Sequence, residues 1–324
     1  MKENTQSRNL MKLNAHYNDA RYGNRKLMWL VKMREKVDDT KALLKNISNI
    51  RNQGVKKTVF QIKCYLNPKL INDKKINYQF DHSNEFNYEV KNSYHRHEIA
   101  VYTSIFGNYD HLIEPLYKSE YCDYFAITDQ QIPESSVWKR LDCSEIEGFN
   151  NLDDYHKSKY CKMFPHILFP DYKYSIWVDG NVQIVADMMP LIDRMGDAVM
   201  AAFENPKHDC IYTEARYNIC QNNARINELE NQILAYTCEG FPAHFGMREF
   251  SIIARKNQNA EMQNLMKQWW EQVNEYTMRD QISFPYVLWK NGLTIDYIKP
   301  LGLNWRWNPR FILYPHNWHI TFNK

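Results

Sequence analysis

In YSIWVDGNVQI, residues 174–184, a hydrophobic run stops at Asp179, Gly180 and Asn181. A carboxylate and an amide two residues apart, with a glycine between them to let the backbone turn tightly, can aim their oxygens into one space. Both are hard oxygen donors, suited to Mg²⁺ or Mn²⁺ carrying a diphosphate. Two earlier apolar runs also end in acid: EIAVYTSIFGNYD (98–110) at Asp110, and DYFAITD (123–129) at Asp129. A lone aspartate after a strand often only forms a turn or caps a helix. Three in succession predict carboxylates converging on one rim, where open parallel sheets bind ligands.

The elements that must position these residues follow from the pattern. Runs apolar on both faces, rich in β-branched and aromatic residues and separated by helical segments, predict a largely parallel sheet covered by helices. Alternation puts Ser175, Trp177 and Asp179 on one strand face and Ile176 and Val178 on the other. KSKYCKMFPHILFPDY reads as a helix reaching the Pro165–Pro170 region. ARINELENQILAYTCEG predicts a helix with Ile226, Leu229, Ile233 and Leu234 on one face and a C-cap at Gly240. AEMQNLMKQWWEQV predicts another, with its Met and Trp residues in the core. From Asn9 to Gln53 apolar residues at helical spacing, Leu27, Leu30, Val31, Leu43, Leu44, Ile47 and Ile50 among them, predict one or two amphipathic helices. Residues 54–98 read as an irregular connection containing the short apolar piece VFQIKCYL.

The composition is globular, with 44% hydrophobic and 14% aromatic residues over 324 positions, enough for a sizeable core. Its 22 Tyr and 9 Trp suit flat polar ligands such as sugars and bases. Residues 1–98 hold 20 Lys and Arg against 10 Asp and Glu, and the remainder 21 against 28, so the basic excess is confined to the N-terminal part. That excess suits either a solvated helical arm or an anionic membrane surface, and because the motif-bearing part is net acidic, nucleic acid is not an expected partner. No run is long and apolar enough for a membrane span, and MKENTQSRNLMKLN lacks the apolar core of a signal peptide, so the expectation is a cytoplasmic protein. The seven cysteines, with no CxxC pair, read as reduced thiols.

Beyond the Asp-Gly-Asn turn, YTSIFGNYD, KSKYCKMFPHILFPDYKYSIWVDGN, CIYTEA (210–215), EGFPAHFGMREFSIIAR (239–255) and RDQISFPYVLWK (279–290) follow in order. Together they make the sequence, over roughly 98–300, resemble the glycosyltransferase-like domain family of the turgor-regulation and mucilage-related proteins, whose members also occur in bacterial polysaccharide clusters. The resemblance implies a GT-A-like (Rossmann-like) α/β fold with a mixed, mainly parallel sheet flanked by helices. A GT-A-like domain at 98–324 would follow a basic, largely helical extension at 1–97. It further implies a nucleotide-sugar donor whose sugar passes to a saccharide or lipid-linked glycan acceptor.

Carried over by position, Phe106, Asn108 and Asp110 would meet base and ribose, with Asp129 assisting, and Lys162 and Lys159 would approach the phosphates. Asp179 and Asn181 would hold Mn²⁺ or Mg²⁺ or stand in for it, since Asn181 replaces the second acid of a DxD pair; His316 or His319 would be a third ligand. Asp280 and Gln281 would sit beside the anomeric carbon or the acceptor hydroxyl, unless Asp280 merely caps a helix. Glu214 and Glu239 would contact acceptor or sugar, and His244 and Arg255 would support the diphosphate. P-loop, GxGxxG, HExxH and GxSxG signatures are missing. A metal-assisted hydrolase of a glycosidic or amide bond and a non-catalytic glycan-binding protein stay open as alternatives.

Overall fold

A computed structural model describes residues 4–18, 59, 85–86, 88–220, 226–277 and 279–316. Its frame is a seven-stranded sheet. In chain order the strands are β1 (Ile99–Ile105), β2 (Cys122–Thr128), β3 (Lys139–Arg140), β4 (Tyr174–Val178), β6 (Met200–Glu204), β7 (Arg248–Lys256) and β8 (Ile298–Pro300), and they lie side by side as β3-β2-β1-β4-β7-β6-β8. Every strand runs parallel to β1 except β7, which is antiparallel to both β4 and β6. A separate ribbon pairs β5 (Val182–Ile184) with β9 (Phe311–Leu313). The sheet is therefore mixed and mainly parallel, as the sequence predicts.

All seven residues of β1 are buried because both faces are covered. Ile99 and Val101 join one core with Ile176 and Val178 of β4, while Ala100 and Tyr102 join the other with Trp177. The second core is roofed by three helices: α2 (Asp154–Met163), α7 (Ala260–Glu275) and α8 (Asp280–Lys290). Helix α2 is capped by Asp153, whose Oδ1 accepts from His156 N at 2.8 Å, and α7 by Asn259, which accepts from Met262 N at 2.8 Å. Four-residue α3 (Pro165–Leu168) continues α2 past Pro165. Between β5 and β7 the chain forms α4 (Met189–Met195), α5 (Ile211–Cys220) and α6 (Ile226–Cys238).

Helix α6 is followed by Gly240 at φ +86°, with Phe241 N donating to Tyr236 O, so the predicted glycine stop is there. Its buried face differs from the expected one. Leu234 is 63% exposed, and Gln232 and Tyr236 take its place beside Leu229, because Gln232, Tyr236, Thr277 and Gln272 link into a buried hydrogen-bond chain.

Of the N-terminal region, α1 (Thr5–Asn18) and a strip around residues 85–94 are described, and both pack on the sheet domain. Asn14 donates to the carbonyls of Pro309 (2.8 Å) and Phe311 (3.0 Å). Asp193 of α4 gathers Tyr88 Oη (2.6 Å) and the backbone amides of Lys91 (3.0 Å) and Asn92 (2.9 Å). Glu85, fully buried, pairs with Arg194 and with Arg310 Nε at 2.7 Å. The predicted helix from residue 19 to Gln53, the VFQIKCYL piece apart from Val59, and His319 lie outside the described residues. Among the described residues no helix is long and apolar enough to cross a membrane, and the six described cysteines are free thiols.

Candidate active site

Beyond the carboxyl ends of β1 and β4 opens a cavity of about 680 Å³. Its floor is the Asp179-Gly180-Asn181 turn, closed by Val182 N donating to Asp179 O at 3.0 Å and tied to β7 by Asp179 N donating to Ser251 O at 2.9 Å. Gly180 is required by space: a Cβ there would sit 2.6 Å from Ile105 Cγ1 at the end of β1. Asn181 is clasped twice by Tyr314, its Nδ2 donating to Tyr314 O and its carbonyl accepting from Tyr314 N, each at 2.9 Å.

Asp179 Oδ1 accepts from Trp177 Nε1 at 2.7 Å and lies 3.4 Å from Lys162 Nζ. Its side chain stays 32% exposed to the cavity, whereas Lys162 is buried. Lys162 Nζ reaches on to Asp280 Oδ2 at 2.6 Å, and Lys159 Nζ, one helical turn earlier on α2, meets the same oxygen at 2.9 Å. Asp280 is the first residue of α8, not its N-cap, and its Oδ1 accepts from Gln281 N at 3.0 Å. Its Oδ2 is committed to the two ammonium groups. Burial alone would raise its pKa, but the two lysines outweigh that and hold it well below the usual carboxylate range. Burial likewise disfavours charge on Lys159, and Asp280 overcomes it, so the ammonium is strongly retained.

A second cluster lies across the cavity. Arg306 grips Glu249 with both arms, Nη1 to Oε1 at 2.9 Å and Nη2 to Oε2 at 3.1 Å, while Gln281 Nε2 donates to Glu249 Oε2 at 3.1 Å. At the mouth, His316 Nδ1 lies 2.9 Å from Asp110 Oδ2, and this hydrogen bond raises the His316 pKa against the opposing effect of burial. Its ring centroid sits 5.0 Å from that of Tyr109, which is 55% exposed.

The cavity thus brings together Phe106, Asp110, Lys159, Lys162, Asp179, Asn181, Asp280, Gln281 and His316. Asp129 reaches it indirectly, accepting from Gly107 N at 2.9 Å and so fixing the loop after β1. Asn108, at φ +54°, is not among the residues lining it.

The other expected contacts are made elsewhere. Arg255 is wholly buried behind Lys162, donating to Lys162 O at 2.6 Å and Tyr102 Oη at 2.5 Å, so it supports the lysine's backbone and does not face the cavity. His244 pairs with Asp209 and Glu239 with Lys290 and Tyr286, all outside the cavity. Glu214 is buried on α5, accepting from Asn218 Nδ2 at 2.8 Å. Glu249, Arg279, Arg306 and Tyr155 line the cavity without having been singled out from the sequence. Only the family-borne motif containing Glu249 and the RDQ run containing Arg279 offered a signal for any of them.

Burial, with the nearby Glu249 charge, lifts the Glu214 pKa to about 7. The folded state therefore binds a proton that the unfolded chain releases near the ordinary carboxylate value of about 4.3, and this group's contribution to stability falls as pH rises from there through about 7. Glu214→Gln is expected to flatten that stretch of the stability curve, read by urea unfolding at pH 5 and pH 8. An unchanged difference between the two pH values would contradict the assignment.

Among the described residues no three His, Cys, Asp or Glu side chains form a cluster able to hold a cation by themselves. What the floor offers is one exposed carboxylate and one amide whose nitrogen is occupied by Tyr314, leaving its oxygen as the acceptor. That donor set fits a Mg²⁺-type ion that brings its remaining ligands with it, as phosphate oxygens or water. His316, engaged with Asp110 and favoured in its protonated form, suits hydrogen-bond donation better than coordination.

A mainly parallel sheet with a cleft of lysines and carboxylates beyond its strand ends is the architecture in which open α/β proteins bind their ligands. The chain belongs to the TOD1/MUCI70, glycosyltransferase-like domain family, whose model matches residues 55–297. The match opens ahead of residue 98, where the sequence motifs begin. The chain is similar to the probable hexosyltransferase MUCI70 of Arabidopsis thaliana, 26% identical over 217 residues, which cover 58% of this chain and 37% of that protein. It therefore spans well under half of that relative's length.

Among solved structures it is similar to the WbbM bifunctional glycosyltransferase in its apo form, at 15% identity and a TM-score of 0.39 over 61% of this chain and 38% of that one. The glycosyltransferase GlyE of Streptococcus pneumoniae TIGR4 is similar at 10% identity and a TM-score of 0.34, over 66% and 47%. Values this low add nothing to what the sheet order and the family match establish.

Proposed function

We propose that the protein transfers a hexosyl group from a nucleoside-diphosphate sugar to a saccharide or lipid-linked glycan acceptor in surface polysaccharide synthesis. The observation that carries this reading is the pairing of half-buried Lys159 and buried Lys162 on Asp280, with Lys162 beside Asp179 on the cavity floor. Two ammonium groups fixed in advance at the cavity wall would stabilise charge that develops on a leaving diphosphate. Asp280, whose pKa the two lysines hold well below the usual carboxylate range, fixes their positions as a counter-ion and is too weak a base to take a proton near neutrality. Gln281, next in the chain and donating to Glu249, would face the sugar.

Phe106 and Asp110, with the loop that Asp129 holds, would form the nucleoside side of the donor site. Asp179 and Asn181 would hold Mg²⁺ or Mn²⁺ together with the phosphates, and a bound cation would add to the neutralisation of the diphosphate. The reaction would take place at the cytoplasmic face of the membrane, with the basic N-terminal part drawn to anionic lipid.

Titration of the protein with UDP-, GDP-, ADP- and CMP-sugars, with Mg²⁺, Mn²⁺ or EDTA, tests the reading by thermal shift. A ligand at 100 times its Kd stabilises the folded state by about 2.7 kcal/mol. One nucleotide-sugar is expected to raise the Tm of the wild type, and Asp179→Ala is expected to abolish most of that rise. If no nucleotide-sugar shifts the Tm under any metal condition, the transferase reading fails. Release of free sugar without acceptor at the full catalytic rate would mark a hydrolase instead.

A further inference from the structure

Four large apolar side chains are more than half exposed among the described residues: Leu13, Tyr17, Tyr109 and Leu234. A single one, as Leu234 is on α6, is ordinary on a protein surface, whereas several grouped on one side mark a contact surface. Leu13 and Tyr17 lie one turn apart on α1 and share its outward face, opposite the buried Ser7, Met11, Asn14, Ala15 and Asn18. Tyr109 stands at the cavity mouth beside the His316 ring.

Hydrogen bonds fix α1 relative to that mouth. In the β5–β9 ribbon Arg310 O accepts from Val185 N and Tyr314 N donates to Asn181 O, so the carbonyls of Pro309 and Phe311 point from the other edge of β9, where Asn14 donates to both. About two turns back along α1, Ser7 Oγ accepts from Asp187 N at 2.8 Å, just past the end of β5 that pairs with the start of β9. The helix therefore runs in the direction of β9, toward Tyr314, Pro315 and His316 in the cavity wall. Burial raises the Tyr314 pKa, and the nearby Tyr17 hydroxyl adds to the rise.

The charge of this face selects its partner. Helix Thr5–Asn18 carries Arg8, Lys12 and His16 at four-residue steps and contains no carboxylate. Lys12 and His16 are exposed, each directly before an exposed apolar residue, Leu13 and Tyr17. An acidic polymer would match the basic row and leave Leu13 and Tyr17 in water. An anionic lipid surface meets both, taking the leucine and tyrosine at the boundary between acyl chains and headgroups while the lysine and arginine stay among the phosphates.

We propose that the outward face of α1, with Tyr109 beside it, seats the protein on an anionic lipid bilayer with the cavity mouth at the headgroup layer. Taken with the transferase reading, on which this part rests, the glycan of a lipid-linked acceptor would stand at that mouth. The lipid contact itself needs no nucleotide.

Flotation of the full chain with vesicles of phosphatidylcholine, alone or mixed with phosphatidylglycerol, tests the contact in wild type, Leu13→Gln/Tyr17→Gln, Tyr109→Gln and, as a control on another helix, Leu234→Gln. Glutamine keeps the exposed helical positions helical, and the Tm of each variant establishes folding. Wild type is expected to bind the mixed vesicles and not the neutral ones, and the double variant to bind them about tenfold or more weakly. Tyr109→Gln is expected to weaken binding severalfold and Leu234→Gln to leave it unchanged.

Failure of wild type to bind anionic vesicles overturns the inference, as does a double variant that binds like wild type or no worse than Leu234→Gln. Retention on polyglutamate without vesicle binding would assign the basic row to an acidic polymer and overturns it too. Unchanged binding by Tyr109→Gln overturns the placement of the mouth. The rise in Tm with nucleotide-sugar, measured without lipid, reports the donor reading separately: its absence beside intact vesicle binding removes the acceptor and leaves the lipid contact, and its presence without vesicle binding does the reverse.

Discussion

Lys162→Ala is expected to lower the turnover of sugar transfer by about 10²- to 10³-fold at saturating donor, the range found when one preorganised charge stabiliser is removed. Lys162 has this weight because its Nζ sits between two carboxylates, 3.4 Å from Asp179 and 2.6 Å from Asp280, while Lys159 meets Asp280 alone. Its placement is fixed from behind, since Arg255 and Tyr102 both hydrogen-bond its carbonyl and a Trp177 ring centre lies 5.6 Å from Nζ. On the proposed function, removing the ammonium would take away charge from the departing diphosphate and would also loosen Asp280. Initial rates with a matched donor, alongside circular dichroism to establish folding, measure the effect. A folded Lys162→Ala that keeps more than a tenth of wild-type turnover would refute the role.

Glu85→Ala is expected to destabilise the fold by about 3–5 kcal/mol, because it leaves the fully buried Arg310 and the mostly buried Arg194 without their shared counter-ion. In a domain of this size that corresponds to a fall in Tm on the order of 10 °C. Burial by itself would raise the Glu85 pKa, but Arg310 and Arg194 bring it below its ordinary value. The stability it contributes is therefore present at neutral pH and lost as pH falls below the unfolded carboxylate value through the lower folded one. Scanning calorimetry at pH 7 reads the first effect. A variant melting within about 2 °C of wild type would show that the strip around residue 85 is not held by this pair.

These two residues differ in how far the sequence announced them. The apolar runs of β1, β2 and β4 were legible because strands covered on both faces read as continuous hydrophobic stretches. Their terminal aspartates pointed to the rim, and Asp179, Lys162 and Asp280 meet there across 118 residues of chain. Motif membership, however, does not fix the direction of a side chain. Arg255, His244, Glu214 and Glu239 lie in equally strong motifs and turn to Lys162 O, Asp209, Asn218 and Lys290.

The Glu249–Arg306 pair was invisible for a related reason: its two members are 57 residues apart and nothing local to either one reports the other. Glu85 lies in a polar stretch that gives no hint of burial, and its partner Arg310 is 225 residues away. In α6, Leu234 fitted the helical repeat yet faces solvent, because a buried hydrogen-bond chain through Gln232 and Tyr236 decides the helix rotation.

The insertion of antiparallel β7 between β4 and β6 also governs the order in which the molecule can assemble. It lets Glu249, from the beginning of a strand, share a rim with Asp110 and Asp179, from beyond the ends of others. Apart from Lys162 and Asp179, 17 residues apart, the ion pairs described in the cavity span long stretches of chain, from 57 residues for Glu249 and Arg306 to 206 for Asp110 and His316. The entropy of closing such loops is met only after most of the sheet is in place. A chain still emerging during synthesis can pair β1 with β2 and β4, but it has no complete site until β8 has joined the sheet and β9 has paired with β5.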